Sequence, residues 1–426
     1  MEQFHYLCST CGKTFLPEEV RYLCPVCSNH YRPGLPLNGV LLAIFDYAQI
    51  ARQFQKERPD WTLFSAVEPR YFPAYPVGKT PFFKSERLGH ELGLDDLWVK
   101  NDGQNPSASL KDRASFLMVA EANRLGEPVV VTASTGNAAS ALAAACAAAG
   151  KQALIFVPEK APRAKLAQML LYGALVVPIK GTYDDAFRLS LEYTTRNGGL
   201  NRNTAYHPLT IEGKKTVGFE MFEQNQGKAP DAIVVPVGDG VILAGVYKAF
   251  YDLRAAGLIP RLPRLICVQA EKSSAIHHYF TTGQYRNAGN PATVADSISV
   301  SIPSNAHLAR QALLESAGIS VLVSDEQILR AQKLLAATTG IFAEPAAAAA
   351  VAGLAELRRA GTINPAGRTV VLITGHGLKD IDAAMRDIRL PPSVEPNLEA
   401  VEAALETGAC GGALNSQPST LNHPHG

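Results

Sequence analysis

From about residue 128 onward, short apolar runs alternate with longer segments of helical pattern. The apolar runs predict buried strands at 128–132, 153–158, 175–179, 231–236, 265–268, 320–323 and 369–373. The segments between them predict helices at 138–149, 162–172 and 241–256, one beginning near Asp184, and one opened by a Ser324/Gln327 capping box. Continuous apolar strands separated by helices indicate parallel sheets covered on both faces, and there are enough strands for two sheets.

The remaining segments suggest boundaries. Pro33, Gly34 and Pro36 mark a linker, and residues 41–47 predict a short strand beyond it. We therefore expect a small N-terminal segment at 1–36 and a main domain at 37–395, whose smaller lobe spans about 115–210. We expect a flexible tail at 396–426, with an alanine- and glutamate-rich stretch that could be helical and a frayed end from Gly408.

Composition narrows the classes of partner. Hydrophobic residues make up 47% of the 426 residues, and 40 Lys+Arg balance 39 Asp+Glu, for a net charge of +1. This balance gives no general attraction to nucleic acid or membrane, so a small molecule is the expected partner. No apolar run is long enough to span a bilayer, and the N-terminus lacks the features of a signal peptide. We expect a protein of the reduced cytoplasm.

Four of the seven cysteines lie in the first 27 residues. Cys8 and Cys11 form one Cys-x-x-Cys pair, Cys24 and Cys27 form another, and twelve residues separate the pairs. Two such knuckles facing each other complete a tetrahedral cage of four thiolates, which predicts a zinc ribbon. The metal would be structural, since four protein ligands leave no open position for a substrate. The alternative is two reduced pairs in a ribbon that has lost its metal.

Lys111 lies at a predicted junction between a loop and a helix, after Pro106 and a run of small residues. A lysine at such a junction can project into a cleft, where partial desolvation makes its amine nucleophilic. Alternatively, Lys111 is a surface lysine paired with Asp112 or Asp102. The segment alone favours this ordinary interpretation, because Lys-Asp-Arg is a common string.

The sequence Ser134-Thr135-Gly136-Asn137 follows a predicted buried strand and precedes an alanine-rich helix. Backbone N–H groups at a helix N-terminus, with two hydroxyls beside them, form a pocket that suits the carboxylate of an amino acid. An ordinary helix cap explains the same residues equally well.

A glycine-containing loop joins a strand to a helix at Gly238-Asp239-Gly240-Val241-Ile242. Its backbone amides could converge on a phosphate, although a plain tight turn would have the same composition. A dinucleotide fingerprint is disfavoured, because Leu243 stands where a further glycine is required. The Asp239 side chain would have to point away from a bound phosphate.

Thr374 ends the last predicted strand and is followed by Gly375-His376-Gly377-Leu378-Lys379-Asp380. A threonine hydroxyl can donate to a pyridine nitrogen but cannot stabilise a pyridinium as a carboxylate would. The alternative role is capping of the strand end, and His376 is interpreted as a loop histidine. Glu344-Pro345, before the run 346–350, is interpreted as the start of a closely packed helix.

The order of these motifs resembles that of the fold-type II pyridoxal-phosphate enzymes: Ser-x-Lys-Asp-Arg, Ser-Thr-Gly-Asn, a glycine-rich loop, Glu-Pro-Ala and Thr-Gly-x-Gly-Leu-Lys-Asp. Over residues 75–390 the chain is most similar to the threonine synthase family, in which an N-terminal four-cysteine ribbon also occurs. The resemblance implies an α/β fold like that of the tryptophan synthase β-subunit. It would have two parallel-sheet lobes with helices on both faces, a small zinc ribbon, pyridoxal phosphate as cofactor and a homodimeric assembly.

The resemblance also implies roles for individual residues. Lys111 forms the Schiff base with the cofactor, Asn137 contacts the cofactor's 3′-oxygen, and Thr374 faces the ring nitrogen. The residues that hold the substrate carboxylate are Ser134, Thr135, Gly136 and Asn137. The residues that surround the cofactor's 5′-phosphate are Gly238, Asp239, Gly240, Val241 and Ile242.

Several positions depart from the pattern of the family. Leu110 stands where an aromatic residue often stacks on the cofactor, and Val241 and Ile242 replace a glycine and an asparagine of the phosphate loop. His207 and Thr210 stand where threonine synthases tend to have an asparagine and an arginine, the latter near the substrate phosphate. Losing that arginine would weaken phosphate binding. The candidates for compensation are Lys160, Arg163, Lys165, Lys214 and Lys215.

Three hypotheses for function follow. In the first, the protein converts O-phospho-L-homoserine and water to L-threonine and phosphate, with Lys111 as general base. In the second, a related pyridoxal-phosphate enzyme catalyses β-elimination or β/γ-replacement on another amino acid, as in cysteate synthase or threonine dehydratase. The replacement of the arginine by Thr210 motivates this alternative. In the third, the fold is regulatory and not enzymatic, and its ribbon binds a partner.

Overall fold

The computed structural model describes residues 4–407 except 31, 33, 55–60, 162, 387 and 389, and it describes only the backbone of residues 163–165. Pro33 of the predicted linker, the predicted helix start at Pro162 and the predicted frayed end from Gly408 lie outside the described residues. The strands are β1 (Phe4–Cys8), β2 (Thr14–Phe15), β3 (Leu41–Phe45), β4 (Phe82–Lys84), β5 (Leu97–Asn101), β6 (Val129–Ala133), β7 (Gln152–Pro158), β8 (Leu175–Ile179), β9 (Leu200–Asn201), β10 (Ala232–Pro236), β11 (Arg264–Ala270), β12 (Ile319–Val323) and β13 (Thr369–Ile373).

The helices are α1 (Pro25–Ser28), α2 (Tyr47–Phe54), α3 (Glu86–Leu92), α4 (Lys111–Leu125), α5 (Asn137–Ala148), α6 (Arg163–Leu171), α7 (Tyr183–Asn197), α8 (Leu209–Gln224), α9 (Val241–Ala255), α10 (Ala275–Thr282), α11 (Ala306–Glu315), α12 (Asp325–Thr339), α13 (Pro345–Arg359), α14 (Ile381–Met385) and α15 (Leu398–Glu406). The predicted capping box at Ser324 and Gln327 is present at the start of α12. A second capping box, formed by Thr182 and Asp185, begins α7.

Two sheets of parallel strands form the main body. The larger has the order β12-β11-β10-β13-β5-β4, in which β4 alone runs antiparallel to its neighbour. The smaller has the order β8-β7-β6-β9 and is parallel throughout. The carboxyl ends of parallel strands meet at one edge of a sheet, so the loops that follow β6, β10 and β13 are available to build a site.

The continuous apolar strands are explained by burial on both faces. Along β10, Ile233 and Val235 join one hydrophobic core, whereas Ala232 and Val234 join a second core that includes α13. Close packing of α13 on the sheet requires small residues, because a Cβ placed at Gly353 would lie 2.4 Å from a methyl carbon of Val268. The predicted two-sided parallel architecture is confirmed.

A third, antiparallel sheet has the order β2-β1-β3. It joins the N-terminal segment to the first strand beyond the predicted linker, with Phe4 opposite Phe45 and Cys8 opposite Leu41. Backbone hydrogen bonds therefore join the ribbon to residues 41–45 in one sheet. The predicted boundary at residue 36 stays a prediction, although the sheet crosses it.

The chain divides into two compact units, the first ending at Asp380 and the second beginning at Ile381. In the second unit, α15 occupies the stretch that the sequence predicts could be helical, and the Asn397 side chain caps it by accepting the Ala400 N–H at 2.8 Å. Within the described ranges, no helix combines the length and the apolar content needed to cross a membrane.

Candidate active site

Lys111 is the first residue of α4, and the loop before it is fastened to the loop after β13. The Leu110 N–H donates to the Thr374 carbonyl at 2.9 Å, and the His376 N–H donates to the Ala108 carbonyl at 3.0 Å. These bonds bring together two motifs that are separated by about 260 residues in the sequence. Leu110 itself is completely buried in the main hydrophobic core.

The Lys111 amine lies in an environment that favours its neutral form. Burial lowers its pKa and the charge of Arg202 lowers it further, while the carboxylates of Glu344 and Asp239 oppose the shift. A neutral amine is the nucleophilic form, so the lowered pKa suits a lysine that attacks a carbonyl carbon. The structure therefore favours the reactive interpretation of this lysine over a surface ion pair.

A buried ion cluster anchors the first turn of α4. The Arg113 guanidinium donates to both oxygens of Asp102, at 2.6 and 2.9 Å, and to both oxygens of Glu220, at 2.7 and 2.9 Å. Lys100 donates to the same Glu220 at 2.7 Å. Because Arg113 is two residues from Lys111, this cluster fixes the start of the helix that presents the amine.

The loop between β6 and α5 contains the predicted carboxylate pocket. Ser134, Thr135 and Gly136 are half-buried, and the Ser134 hydroxyl accepts the Gly136 N–H at 3.3 Å. Gly136 precedes α5 without a side-chain cap, and among the described residues the N–H groups of Asn137 and Ala138 have no acceptor, so these two are available to an anion. This geometry can hold a carboxylate, as the sequence predicts.

Asn137 contacts a buried acid that the sequence interpretation treated only as a packing residue. Its Nδ2 donates to the two carboxylate oxygens of Glu344 at 3.0 and 3.1 Å, and Ser297 donates to Glu344 at 3.2 Å. Burial raises the pKa of Glu344, while Asn137 and the charges of Lys111 and Lys379 oppose the shift. The sequence signal that could have revealed Glu344 is a carboxylate followed by a run of alanines. Alanine side chains cannot pair with a carboxylate, so its partner must come from another part of the chain.

The loop after β10 has the form expected of a phosphate loop. Gly240 adopts a left-handed backbone, with φ of 87°, immediately before α9. The Asp239 carboxylate accepts the N–H and the hydroxyl of Ser304, both at 2.7 Å, so it is turned toward a neighbouring loop. The amides of Val241 and Ile242 begin α9, and within the described part of the chain they have no acceptor, so they can bind an anion at the helix N-terminus.

Thr374 is buried directly after β13. Gly375 follows it because a Cβ at this position would lie 2.4 Å from a carboxylate oxygen of Glu344. His376 accepts the Leu378 N–H through Nδ1 at 3.1 Å, in keeping with a loop histidine. The structure thus brings the loops of Lys111, Asn137 and Thr374 together around Glu344.

Two cations near this site have unused hydrogen-bonding capacity. Among the residues that the structure describes, Arg202 Nε and Nη2 and Lys214 Nζ are buried without any hydrogen-bond partner. Buried polar groups are normally paired, so these donors fit a site for an anionic ligand such as pyridoxal phosphate or a phosphorylated substrate. The sequence analysis named Lys214 as one candidate but missed Arg202, which belongs to none of its motifs.

The four cysteine sulfurs of the ribbon lie within 4.8 Å of one another. Cys8 Sγ is 3.8 Å from Cys27 Sγ, and Cys11 Sγ is 3.9 Å from Cys24 Sγ. The ribbon also reaches the segment that carries Arg202: the Tyr22 hydroxyl accepts the Asn201 N–H at 3.1 Å, and the Tyr22 ring stacks on Tyr206 at 4.6 Å.

His207 predicts a pH dependence of stability. It is buried, and burial with smaller contributions from Arg21 and Arg124 lowers its pKa to about 3, below the value near 6.5 of an unfolded chain. Its neutral form therefore stabilises the fold fully above pH 6.5, and this stability is lost as the pH falls. We expect the free energy of unfolding to drop by about 2 kcal/mol between pH 6.5 and 5 from this residue.

Denaturant titrations at several pH values measure this slope. In His207→Asn, the new side chain can still accept the Leu209 N–H that His207 Nδ1 accepts at 3.2 Å. This variant should be less sensitive to acid, whereas His90→Asn, at an exposed position, should keep the wild-type slope. An unchanged slope in His207→Asn would show that His207 is not the responsible group.

Comparisons with known proteins agree with this geometry. Residues 74–375 match a family described as pyridoxal-phosphate dependent enzyme. The chain is 35% identical over 416 residues to the threonine synthase of Methanocaldococcus jannaschii and 36% identical over 410 residues to that of Methanosarcina acetivorans. Each alignment covers 94% of this chain and 98% of the relative.

Among solved structures, threonine deaminase isoform 2 of Solanum lycopersicum resembles the chain with a TM-score of 0.63 at 24% identity. The superposition covers 73% of this chain and 89% of that protein, and at this identity it bears on the fold. The family match at 74–375 includes the loops that carry Lys111, Asn137, Gly238 and Thr374.

Proposed function

Because this chain belongs to the threonine synthase family of pyridoxal-phosphate-dependent enzymes, we propose that it converts O-phospho-L-homoserine and water to L-threonine and phosphate. The resemblance inferred from the sequence motifs is confirmed by the family match and by the relatives. The protein is a pyridoxal-phosphate-dependent lyase, and the proposal concerns its substrate and the roles of its residues.

One observation carries the assignment of the substrate. A lysine amine with a lowered pKa lies close to two buried cationic side chains whose Arg202 Nε and Nη2 and Lys214 Nζ donors have no hydrogen-bond partner among the described residues. An amino acid that ends in a phosphate dianion supplies both the amine that reacts with the cofactor and the negative charge that the two cations require. A neutral substrate would leave the buried cations unpaired.

Each predicted residue has a physical role in this proposal. Lys111 would bind the cofactor's aldehyde carbon, the amides that begin α9 would hold its phosphate, Asn137 its 3′-oxygen and Thr374 its ring nitrogen. When bound, the cofactor supplies an electron-withdrawing ring that stabilises negative charge at the substrate α-carbon. The N–H groups that begin α5, with the hydroxyls of Ser134 and Thr135, would hold the substrate carboxylate.

Proton transfer would fall to the Lys111 amine, because it is the basic group at the proposed attachment point of the cofactor and burial lowers its pKa. Lys111 would take a proton from the α-carbon and return protons as the products form. In the net reaction the bond between the γ-carbon and the phosphate oxygen breaks and phosphate leaves. Water provides the hydroxyl group at the β-carbon and the proton that completes the balance.

The principal test is release of inorganic phosphate from O-phospho-L-homoserine by the purified, cofactor-loaded enzyme. We expect phosphate and threonine to form in equal amounts, measured by a colorimetric phosphate assay and by amino-acid chromatography. Heat-inactivated enzyme is the control for spontaneous hydrolysis. No phosphate release from a preparation that contains the bound cofactor would refute the proposal.

A second candidate keeps the cofactor and changes the reaction. Thr210 occupies the position where the family tends to have an arginine, and its hydroxyl accepts the Ala205 N–H at 3.1 Å and donates to the His207 carbonyl at 2.8 Å. That position therefore contributes no charge to a phosphate, which favours β-elimination or β/γ-replacement on another amino acid. Formation of a keto acid or a substituted amino acid, without release of phosphate from O-phospho-L-homoserine, would support this candidate.

Zinc in the ribbon is also part of the proposal. A tetrahedral zinc with bonds of about 2.3 Å to sulfur requires sulfur atoms about 3.8 Å apart, close to the 3.8 and 3.9 Å separations present here. The role would be structural, since four thiolates fill the coordination sphere. Through Tyr22 the ribbon also supports Asn201, the neighbour of Arg202.

Loss of the metal should destabilise the ribbon and the segment that it supports. Purified protein should contain one zinc per chain, and Cys24→Ser should lose it and unfold at a lower temperature. Metal analysis and thermal unfolding measure the two effects, and Cys146→Ala, in the buried part of α5, should keep its zinc. Cys24→Ser protein that still holds one zinc, or wild-type protein without metal, would contradict the proposal.

The assembly and the compartment complete the proposal. We propose a homodimer on the basis of the family resemblance. The free thiols of the described cysteines, including buried Cys146 and Cys267, support a reduced cytoplasmic compartment.

A further inference from the structure

The backbone of Arg202 lies at the edge of the smaller sheet, directly after β9. Its backbone N–H donates to the Val131 carbonyl at 2.7 Å, and the side chain of the next residue, Asn203, accepts the Ala133 N–H at 2.8 Å. The segment thus runs alongside the end of β6, immediately before Ser134. Arg202 is 1% exposed, and among the described residues its one side-chain hydrogen bond is to Thr204, at 3.1 Å. Within that part of the chain, four of its five N–H donors are left for a ligand.

Lys214 approaches the same space from α8. Its Cβ would lie 2.8 Å from a Cβ placed at Gly245, so α8 and α9 are in close contact one turn beyond the phosphate loop. The charges that act on Lys214 are those of Lys111, Arg202 and Asp239. Lys111, Arg202 and Lys214 therefore lie close enough to one another for their charges to interact. The neighbouring carboxylate, Asp239, is turned toward Ser304.

The other residues predicted as candidates for binding a substrate phosphate are already paired with other groups or lie elsewhere. Lys215 pairs with Glu212 and with Asp252, to which it donates at 2.9 Å. Lys160 is exposed at the surface, and the Thr210 hydroxyl closes its own loop. The side chains of Arg163 and Lys165 lie outside the described residues. Of the predicted candidates whose side chains the structure describes, Lys214 alone is both buried and unpaired.

We propose that Arg202 and Lys214 together bind the phosphate group of the substrate and replace the arginine that the family tends to have at the position of Thr210. This inference rests on the proposed function and assigns its substrate class: amino acids whose side chain ends in a phosphate or phosphonate dianion. The planar guanidinium offers paired donors to two phosphate oxygens, and the lysine adds a point charge.

The proposed function requires one region that binds the cofactor phosphate and another that binds the substrate phosphate. Arg202 and Lys214 suit the substrate phosphate. The amides that begin α9 hold the cofactor phosphate, as helix N-termini do in other phosphate sites. The Arg202 backbone lies alongside β6, whose end leads into the Ser134 loop, where the substrate carboxylate would bind. A substrate with carboxylate and phosphate at its two ends would therefore extend from the first turn of α5 to Arg202 and Lys214.

The test measures binding without turnover, on the cofactor-loaded enzyme. The probe is 2-amino-5-phosphonopentanoate, an unreactive amino acid whose phosphonate replaces the phosphate ester, and L-homoserine is the matched probe without an anionic tail. By isothermal titration, Arg202→Met and Lys214→Met should each weaken phosphonate binding by about 100-fold. Binding of L-homoserine and the absorbance of the bound cofactor should stay at wild-type levels, and Lys160→Met should bind both probes normally.

The possible outcomes are distinct. Loss of cofactor affinity in both variants, with phosphonate affinity unchanged in the loaded protein, would assign the cations to the cofactor and overturn the proposal. Unchanged phosphonate affinity would overturn it as well. If the methionine variants do not fold, Arg202→Lys and Lys214→Gln replace them. Each should weaken binding of the phosphonate more than binding of L-homoserine. Equal effects on the two probes would refute the proposed phosphate site.

The two proposals can fail separately. If the wild-type enzyme binds the phosphonate through Arg202 and Lys214 but releases no phosphate from O-phospho-L-homoserine, the phosphate site is supported and the proposed reaction is refuted. If the Arg202 and Lys214 variants both release phosphate with an unchanged KM, the proposed reaction is supported and the proposed phosphate site is refuted.

Discussion

Replacing Lys111 with alanine is expected to lower turnover by at least about 1,000-fold and to remove the covalent link to the cofactor. The amine is the group that the site prepares for nucleophilic attack, because burial lowers its pKa, and it is also the proposed base at the substrate α-carbon. Losing two roles at once should exceed the effect of removing a general base alone, which is typically about 100- to 10,000-fold.

The cofactor should still associate with Lys111→Ala, but reversibly. The amides that begin α9 and the Thr374 hydroxyl do not depend on Lys111, so they should retain the phosphate and the ring by noncovalent contacts. Borohydride reduction, followed by gel filtration in denaturant and the absorption spectrum of the protein, separates covalent from noncovalent cofactor, because reduction makes the link to a lysine irreversible. Lys160→Ala, at an exposed position, is the control. Covalently retained cofactor in Lys111→Ala would refute the assignment.

Replacing Arg113 with methionine is expected to produce the largest loss of stability among substitutions at polar positions of the site. Methionine fills a similar volume but leaves Asp102 and Glu220 without the four hydrogen bonds that Arg113 donates. Asp102 is completely buried and cannot be resolvated. Breaking a buried pair in this way typically costs about 3–5 kcal/mol. Because α4 begins two residues earlier, activity should also fall.

The matched control is Arg124→Met, which removes an arginine from the other end of α4. Arg124 is 34% exposed and pairs with Glu121, so its loss should cost at most about 1 kcal/mol. Chemical denaturation of the two variants measures the difference in the free energy of unfolding. Equal effects would show that the ion cluster at Arg113 contributes no more than a surface pair. A double variant that also replaces Asp102 with asparagine should recover part of the loss.

The buried strands were predictable because their signal is local. Runs such as 231–236 and 369–373 are apolar throughout, and the structure buries alternate residues of β10 in two different cores. The Ser324 and Gln327 cap is likewise encoded within four residues. In contrast, Tyr47 was predicted at the end of a strand and begins α2, since the strand ends when its pairing with β1 ends. The antiparallel edge strand β4 was also missed, because its three residues carry too short a pattern.

The site shows the same division between local and long-range signals. The loops of Ser134, Gly238 and Thr374 were identifiable because each combines a strand end with small or glycine residues. The loop of Lys111 was identifiable because a run of small residues precedes a predicted helix. Arg202 has no such signal, since its importance arises from burial and from its Nε and Nη2 donors, which have no partner among the described residues. Glu344 acquires its role only when folding brings Asn137 against it, 207 residues away.

The central claim is that the amine of Lys111 binds the cofactor, and reductive trapping tests it most directly. Borohydride reduction of the holoenzyme, proteolysis and mass spectrometry identify the modified lysine. The competing amine is Lys214, whose pKa burial lowers well below its ordinary value. A single pyridoxyl adduct on the peptide that contains Lys111 is the predicted result. An adduct on Lys214, or no adduct on any lysine, would contradict the account.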